Sequence, residues 1–164
     1  MRRTWIFAWG TLGIGATFVE AIVRLAARAG AQLSGEVSPG QWLALAVLVV
    51  AMAYIEGYRA LQRRFAPSVV ARATEAADSG RTMWAILAPI YAISLIGAPG
   101  RTIARSAFGV VMIGVSVHLV RALPAPWRGI VDAAVAVALV WGLIALLSCF
   151  AATLRPAAMT QEST

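Results

Sequence analysis

The run from Gly129 to about Leu154 sets the tightest limit on how this chain folds, because Asp132 is its only charged residue. A helix needs about 20 consecutive apolar residues to cross the hydrocarbon layer of a bilayer. Similar apolar runs recur along the chain, and 60% of the 164 residues are hydrophobic whereas only 13% are charged. Soluble domains have about 45–50% apolar and about 25% charged residues. The sequence therefore predicts an all-α fold, a polytopic bundle of transmembrane helices.

Four of the apolar runs are long enough to span the membrane, and a fifth is short. The stretch over 82–98 gives about 25 Å of helix, less than the hydrocarbon thickness of about 30 Å, and Pro89 interrupts its hydrogen-bond ladder. It either crosses as a short fifth span, which we favour because the stretch is uniformly apolar, or it is re-entrant. The predicted single transmembrane domain covers 1–155, with spans at about 5–27, 41–62, 82–98, 104–122 and 129–154, a cytoplasmic amphipathic linker helix at 66–79 and a polar tail at 156–164.

The basic residues indicate how the helices are oriented. All 14 are arginines, and they lie mostly at the ends of the apolar runs rather than in one patch, which argues against nucleic-acid binding. The positive-inside rule places the N-terminus in the cytoplasm. With five spans, nine arginines lie inside and five outside; with a re-entrant 82–98, ten lie inside and four outside. Seven arginines lie on the cytoplasmic side in both topologies: Arg2, Arg3, Arg59, Arg63, Arg64, Arg72 and Arg81.

Charged side chains within the apolar runs are the sharpest functional signal, because a charge at the bilayer centre costs about 2.5–3.5 kcal/mol. Glu20 precedes Arg24 by four residues, Glu56 precedes Arg59 by three, and Arg128 also has an acid four residues on. Such spacings share one face of an α-helix, so each acid can be neutralised by its own helix. The alternative is a polar intramembrane site for a proton, a cation or a lipid headgroup. The candidate residues are Glu20, Arg24, Glu56, Arg59 and Asp132.

Small residues in two of the predicted spans indicate close helix packing. Gly10, Gly13 and Thr17 recur at every third or fourth position of the first span. Gly57 lies beside Glu56 in the second span. Small residues at such spacing allow two helix backbones to approach closely in a membrane. We expect these positions to contact other helices, either of this chain or of a partner.

Residues that could carry out chemistry are scarce. His118 is the only histidine and Cys149 the only cysteine, which excludes an intrachain disulfide and a haem held by two histidines. The sequence contains no metal-binding, phosphate-binding or nucleophilic-serine motif. We therefore expect no catalytic residue, no cofactor and no metal, and we predict that the chain is not an enzyme.

Two short segments resemble signatures of a family of small bacterial membrane proteins. The first runs from Glu56-Gly57-Tyr58-Arg59 to Arg63-Arg64-Phe65-Ala66-Pro67, and the second is Pro126-Trp127-Arg128-Gly129-Ile130-Val131-Asp132. The resemblance covers about 30 residues. It implies a location in the bacterial inner membrane and carries no assigned activity.

Two classes of function fit these observations. The first is a non-catalytic accessory or structural subunit that packs against other integral membrane proteins or against itself, and it is favoured by the small-residue stripe and the absence of catalytic motifs. The second is a small transporter or channel that moves a proton or an ion past Glu20 and Glu56. Its support is the pair of intramembrane acids and the stretch interrupted by Pro89, since broken helices line the binding sites of transporters.

Overall fold

The computed structural model describes residues 2–78 and 100–154, and these form helices joined by short turns. The predicted short span over 82–98, with Pro89, and the polar tail at 156–164 lie outside the described residues. No strand occurs in the described ranges. In chain order, the elements are α1 (Arg2–Leu33), α2 (Pro39–Met52), a π-helical segment (Ala53–Phe65, hereafter the π segment), α3 (Ala66–Asp78), α4 (Gly100–Arg121) and α5 (Trp127–Leu154).

Three of the described helices are long and apolar enough to cross a membrane. They cover Phe7–Leu33, Pro39–Glu75 and Trp127–Thr153. Within α4 the apolar part is shorter, Ala107–Arg121. The predicted all-α bundle of membrane-spanning helices is therefore confirmed, with three such helices among the residues described.

The second predicted span and the predicted linker helix form one continuous helix. It begins with a capping box in which the Gln41 backbone N–H donates to the Ser38 hydroxyl oxygen at 3.3 Å and the Ser38 N–H donates to the Gln41 side chain at 2.8 Å. From Pro39 the chain continues through α2, the π segment and α3 to Asp78 without a turn. The helix expected at 66–79 is thus present as α3, but it extends the second span instead of following it as a separate linker.

Packing along its whole length keeps this long helix continuous. The apolar side of α3 is buried against α1 and α5, whereas α2 and the π segment pack on α5. Apolar burial of this kind outweighs the hydrogen bond that Pro67 cannot donate. The fully or nearly fully buried residues of α3 are Ala66, Val69, Val70 and Ala73.

Helix α1 runs antiparallel to both the long helix and α5. At one end of the bundle, Phe7 stacks on Phe150 with 5.1 Å between ring centroids. At the other end, a Cβ added to Gly129 would lie 2.9 Å from the Cβ of Gln32, so the start of α5 contacts the end of α1. Phe18 also stacks on Phe65, the last residue of the π segment, with 5.8 Å between ring centroids. The core is therefore formed by the first half of α1, α3 and the second half of α5.

The antiparallel arrangement of α1 and α5 bears on the number of spans. If each crosses the membrane once, α1 ends on the side where α5 begins, and the chain between them must cross an even number of times. Five single crossings would make α1 and α5 parallel, so the antiparallel arrangement of these two described helices does not fit that topology. The arginine counts of the two topologies are too similar to distinguish them.

Candidate functional site

The level of the membrane centre can be read from α5. Its uncharged stretch, residues 133–154, is bracketed by Asp132 and Arg155. At 1.5 Å per residue this stretch is about 33 Å long, close to the hydrocarbon thickness of about 30 Å. Its middle lies near Leu143, whose Cδ1 would be 3.7 Å from a Cβ added to Gly15 of α1. We therefore use Leu143 as the reference for the membrane midplane.

The π segment lies beside this central part of α5. A Cβ added to Gly57 would lie 3.1 Å from both Cβ and Cγ of Trp141, and a Cβ added to Gly142 would lie 3.0 Å from the Cβ of Leu61. Only a residue without a side chain allows approach this close. The charged residues next to Gly57 in the sequence are therefore held level with the middle of α5.

Glu56 and Arg59 flank this contact and are both exposed on the outside of the described bundle. They do not form the ion pair that an α-helical spacing allows, and no ion pair of Glu56 exists within the residues the structure describes. In an α-helix, residues three apart share a face. In a π-helix the hydrogen bonds reach back five residues, so residues four or five apart share a face instead.

The aromatic side chains of the π segment follow the wider repeat. Tyr54 stacks on Tyr58, four residues later, with ring centroids 5.9 Å apart. The guanidinium carbon of Arg63, a further five residues along, lies 5.9 Å from the centroid of the Tyr58 ring. Arg63 thus makes a cation–π contact with Tyr58 on the surface of the π segment.

Glu20 and Arg24 form the predicted ion pair on the outer face of α1, four residues apart. Their side chains are 60% and 67% exposed, so neither points into the bundle. Glu20 lies five residues from Gly15, about 7.5 Å along the helix from the midplane. Glu56 lies on the π segment, which packs on α5, whereas α1 packs mainly on α5 and α3. Glu20 and Glu56 are therefore not brought together into one site facing the bundle interior.

Asp132 is the one predicted acid that is buried, with 5% of its surface exposed. Its Oδ2 atom lies 4.0 Å from Nε of Arg128, and neither atom has a hydrogen-bond partner in the structure. The buried Oε1 of Gln32, beside Gly129, is also without a partner. Arg28 lies one turn from Gln32 on the same face of α1. These four polar residues form a cluster where the end of α1 meets the start of α5.

Sequence reasoning missed Arg28 and Gln32 as members of this cluster. The available signal was that they lie four residues apart at the end of an apolar helix, at a spacing that shares one face. The tertiary structure alone shows which helix that face contacts, because α5 begins about a hundred residues further along the chain.

The contact face of α1 differs from the predicted stripe. Gly10 is buried, but Gly13 is half-buried and Thr17 is exposed, with its hydroxyl donating to the Ile14 carbonyl at 2.7 Å. The contact face combines two large apolar side chains, Phe7 and Ile14, with small residues beside them. The buried residues in this part of the helix are Phe7, Gly10, Thr11, Ile14 and Gly15.

A polar contact and a shallow groove complete this part of the surface. The indole N–H of Trp141 donates to Oε1 of Gln62 at 2.6 Å. Beside this hydrogen bond lies an open, mainly apolar groove of about 360 Å³. His118 is exposed on α4, and no three His, Cys, Asp or Glu residues within 2–78 and 100–154 lie close enough together to bind a metal. The groove is lined by Gln62, Trp141, Ile144, Ala145, Ser148 and Cys149.

Comparisons with protein-family models, curated proteins and solved structures find no match to this chain.

Proposed function

We propose that this chain is an accessory or structural subunit of the bacterial inner membrane, without catalytic activity, that packs against other integral membrane proteins. One observation carries the proposal: Glu56 and Arg59 are exposed on the outside of the bundle at the level of the middle of α5. Lipid tails offer no hydrogen bonds to such groups, so charged residues at this depth are normally covered by protein or line a water-filled cavity. A protein partner provides this cover.

The location in the bacterial inner membrane is supported by the two segments that resemble a bacterial family. A cytoplasmic N-terminus is supported by the arginine distribution. In the four-span topology, and without Arg59, Arg63 and Arg64 of the π segment, seven arginines lie on the side of the N-terminus and four on the other.

The test is purification of a tagged chain from its native membrane in a mild detergent, followed by native mass spectrometry. We expect a reproducible complex of fixed stoichiometry with another membrane protein. Arg59→Gln should weaken this complex, because it removes a charge at the exposed site. The matched control is Arg121→Gln at the exposed end of α4, which should leave the complex intact.

The alternative of a proton or ion pathway makes the opposite prediction. A monomer that conducts protons or ions in liposomes, and stops doing so after Glu56→Gln, would support transport and overturn the proposal. We favour the accessory function over this alternative because Glu20 and Glu56 are both exposed rather than directed into the bundle.

A further inference from the structure

We propose that this chain forms a two-fold symmetric dimer through the outer side of the π segment, with Glu56 of each copy ion-paired to Arg59 of the other copy. This inference rests on the proposed function and deepens it: a second copy covers the two charges, and the other membrane protein binds the resulting dimer. The surface concerned, here named the dimer face, consists of Ile55, Glu56, Arg59 and Ala60.

The π-helical geometry places these four residues side by side. Residues four or five apart share a face of a π-helix. Ile55 therefore shares a face with Arg59, four residues later, and with Ala60, five residues later. Ala60 in turn shares a face with Glu56, four residues earlier. The dimer face thus has an apolar centre, Ile55 and Ala60, with a carboxylate at one edge and a guanidinium at the other.

The dimer face points away from the rest of the described bundle. Gly57 is the buried residue of the π segment and contacts Trp141 of α5. By contrast, Ile55 is 52% exposed, and Glu56 and Arg59 are both exposed. Neither charge has an ion-pair partner within residues 2–78 and 100–154. The dimer face therefore offers one unpaired charge of each sign.

The two unpaired charges select the occupant of the dimer face. A lipid phosphate would neutralise Arg59 but repel Glu56, and a partner that offered only a carboxylate would do the same. The occupant must therefore present an anion and a cation at a matching spacing. A second copy does so by symmetry, because a two-fold interface that brings Glu56 to Arg59 of the other copy also brings Arg59 to Glu56 of that copy.

The spacing of the two charges suits a pair of parallel helices. A two-fold axis along the membrane normal gives both copies the same orientation in the bilayer. Glu56 and Arg59 are three residues apart, an offset of about 4.5 Å at the α-helical rise, which a long arginine side chain can span. Charged residues beside an apolar seam pair across parallel coiled coils in the same way. Arginine and carboxylate also form charge-assisted hydrogen bonds with matched planar geometry.

The other residues near the dimer face are compatible with this contact. The small side chain of Ala60 allows the two backbones to approach closely. Arg63 lies over the Tyr58 ring, with its guanidinium carbon 5.9 Å from the ring centroid. Arg64 lies five residues beyond Arg59, where two helices that cross at the dimer face have begun to separate.

Charge reversal in the full-length protein tests the proposal. Glu56→Arg gives a copy with two arginines on the dimer face, and Arg59→Glu gives a copy with two glutamates. Either variant alone would place like charges opposite each other, whereas a mixture of the two restores both opposite-charge contacts. Donor- and acceptor-labelled copies are combined in phosphatidylcholine vesicles, and their association is measured by energy transfer as the protein-to-lipid ratio is varied. Arg121→Glu, at the exposed end of α4, is the control with a matched charge change.

We expect the unmodified protein to dimerise and each reversal alone to weaken the dimer at least about tenfold. The two variants should associate with each other as the unmodified copies do, and the double reversal within one chain should also dimerise. Arg121→Glu should leave the dimer unchanged. A monomeric unmodified protein would overturn the inference, as would reversals that leave the dimer intact or variants that fail to associate with each other.

The dimer and the accessory function fail in different ways. A chain that is monomeric when purified alone, but co-purifies from its native membrane with another membrane protein in fixed stoichiometry, would refute the dimer and leave the accessory function standing. A dimer from which no other membrane protein co-purifies would support the inference and refute the accessory function.

Discussion

Gly57 of the π segment packs directly on Trp141 of α5, with only 3.1 Å between the position of a Cβ at residue 57 and the Cβ and Cγ atoms of Trp141. This contact holds the π segment at the level of the middle of α5. It also fixes the depth of Glu56 and Arg59, the charged residues on either side of Gly57. Their exposure at that level is the observation on which the proposed function rests.

Replacing Gly57 by leucine should push the π segment away from α5. A leucine side chain has no space against Trp141, and overpacking of this kind costs about 1–3 kcal/mol. The measurement is the free energy of unfolding in mixed detergent micelles, titrated with sodium dodecyl sulfate. Gly114→Leu is the control, because a Cβ at Gly114 would meet no atom within 4 Å. Equal stability of the two variants would contradict the contact.

Trp141→Phe should remove the hydrogen bond to Gln62 and retain most of the apolar contact with Gly57. Hydrogen bonds between side chains of membrane helices contribute about 0.6 kcal/mol on average, with a maximum of about 1.7 kcal/mol. A double-mutant cycle with Gln62→Leu isolates the pairwise free energy in the same unfolding assay. We expect a coupling within that range. Additive effects of the two substitutions would mean that the bond contributes nothing to stability.

Asp132→Ala should destabilise the contact between α1 and α5, because it leaves the Arg128 charge without its nearest acid. Removing one member of a fully buried pair costs about 3–5 kcal/mol. The effect here should be smaller, because the Arg128 side chain is 26% exposed. The double variant Arg128→Leu/Asp132→Leu should recover most of the loss in the free energy of unfolding. A double variant less stable than Asp132→Ala would refute this account of the cluster.

Cysteine labelling tests the antiparallel arrangement at Ser34, after α1, and Leu123, before α5. When each is replaced by cysteine in a Cys149→Ser background, we expect a membrane-impermeant maleimide to label both from the same side. The antiparallel arrangement of α1 and α5 places both positions at the end of the bundle opposite the N-terminus. A tag at the N-terminus should be accessible only from the other side. Labelling of the two cysteines from opposite sides would support five crossings in place of four.

The helical class and the apolar spans follow from the sequence, because the length and hydrophobicity of a run determine whether a helix can cross a bilayer. The pair Glu20–Arg24 also follows from the sequence, since a four-residue spacing within an α-helix places the two side chains together. The pairing of Glu56 with Arg59, one of the two alternatives that the sequence left open, is absent because the local helix is π-helical. Of the packing stripe, Gly10 is buried within the chain and Thr17 is exposed, where a contact with a partner stays a prediction.

The sequence by itself determined that this protein is an all-α membrane protein and which of its helices carry charges inside their apolar runs. Only the tertiary structure decided which of those charges are buried and which lie on the outside at mid-membrane depth. The physical reason is that hydrophobicity and spacing act within one helix, whereas the burial of Asp132 beside α1 and the depth of Glu56 beside α5 depend on contacts between distant segments. Those contacts come from packing of side chains and glycine surfaces that no local pattern specifies.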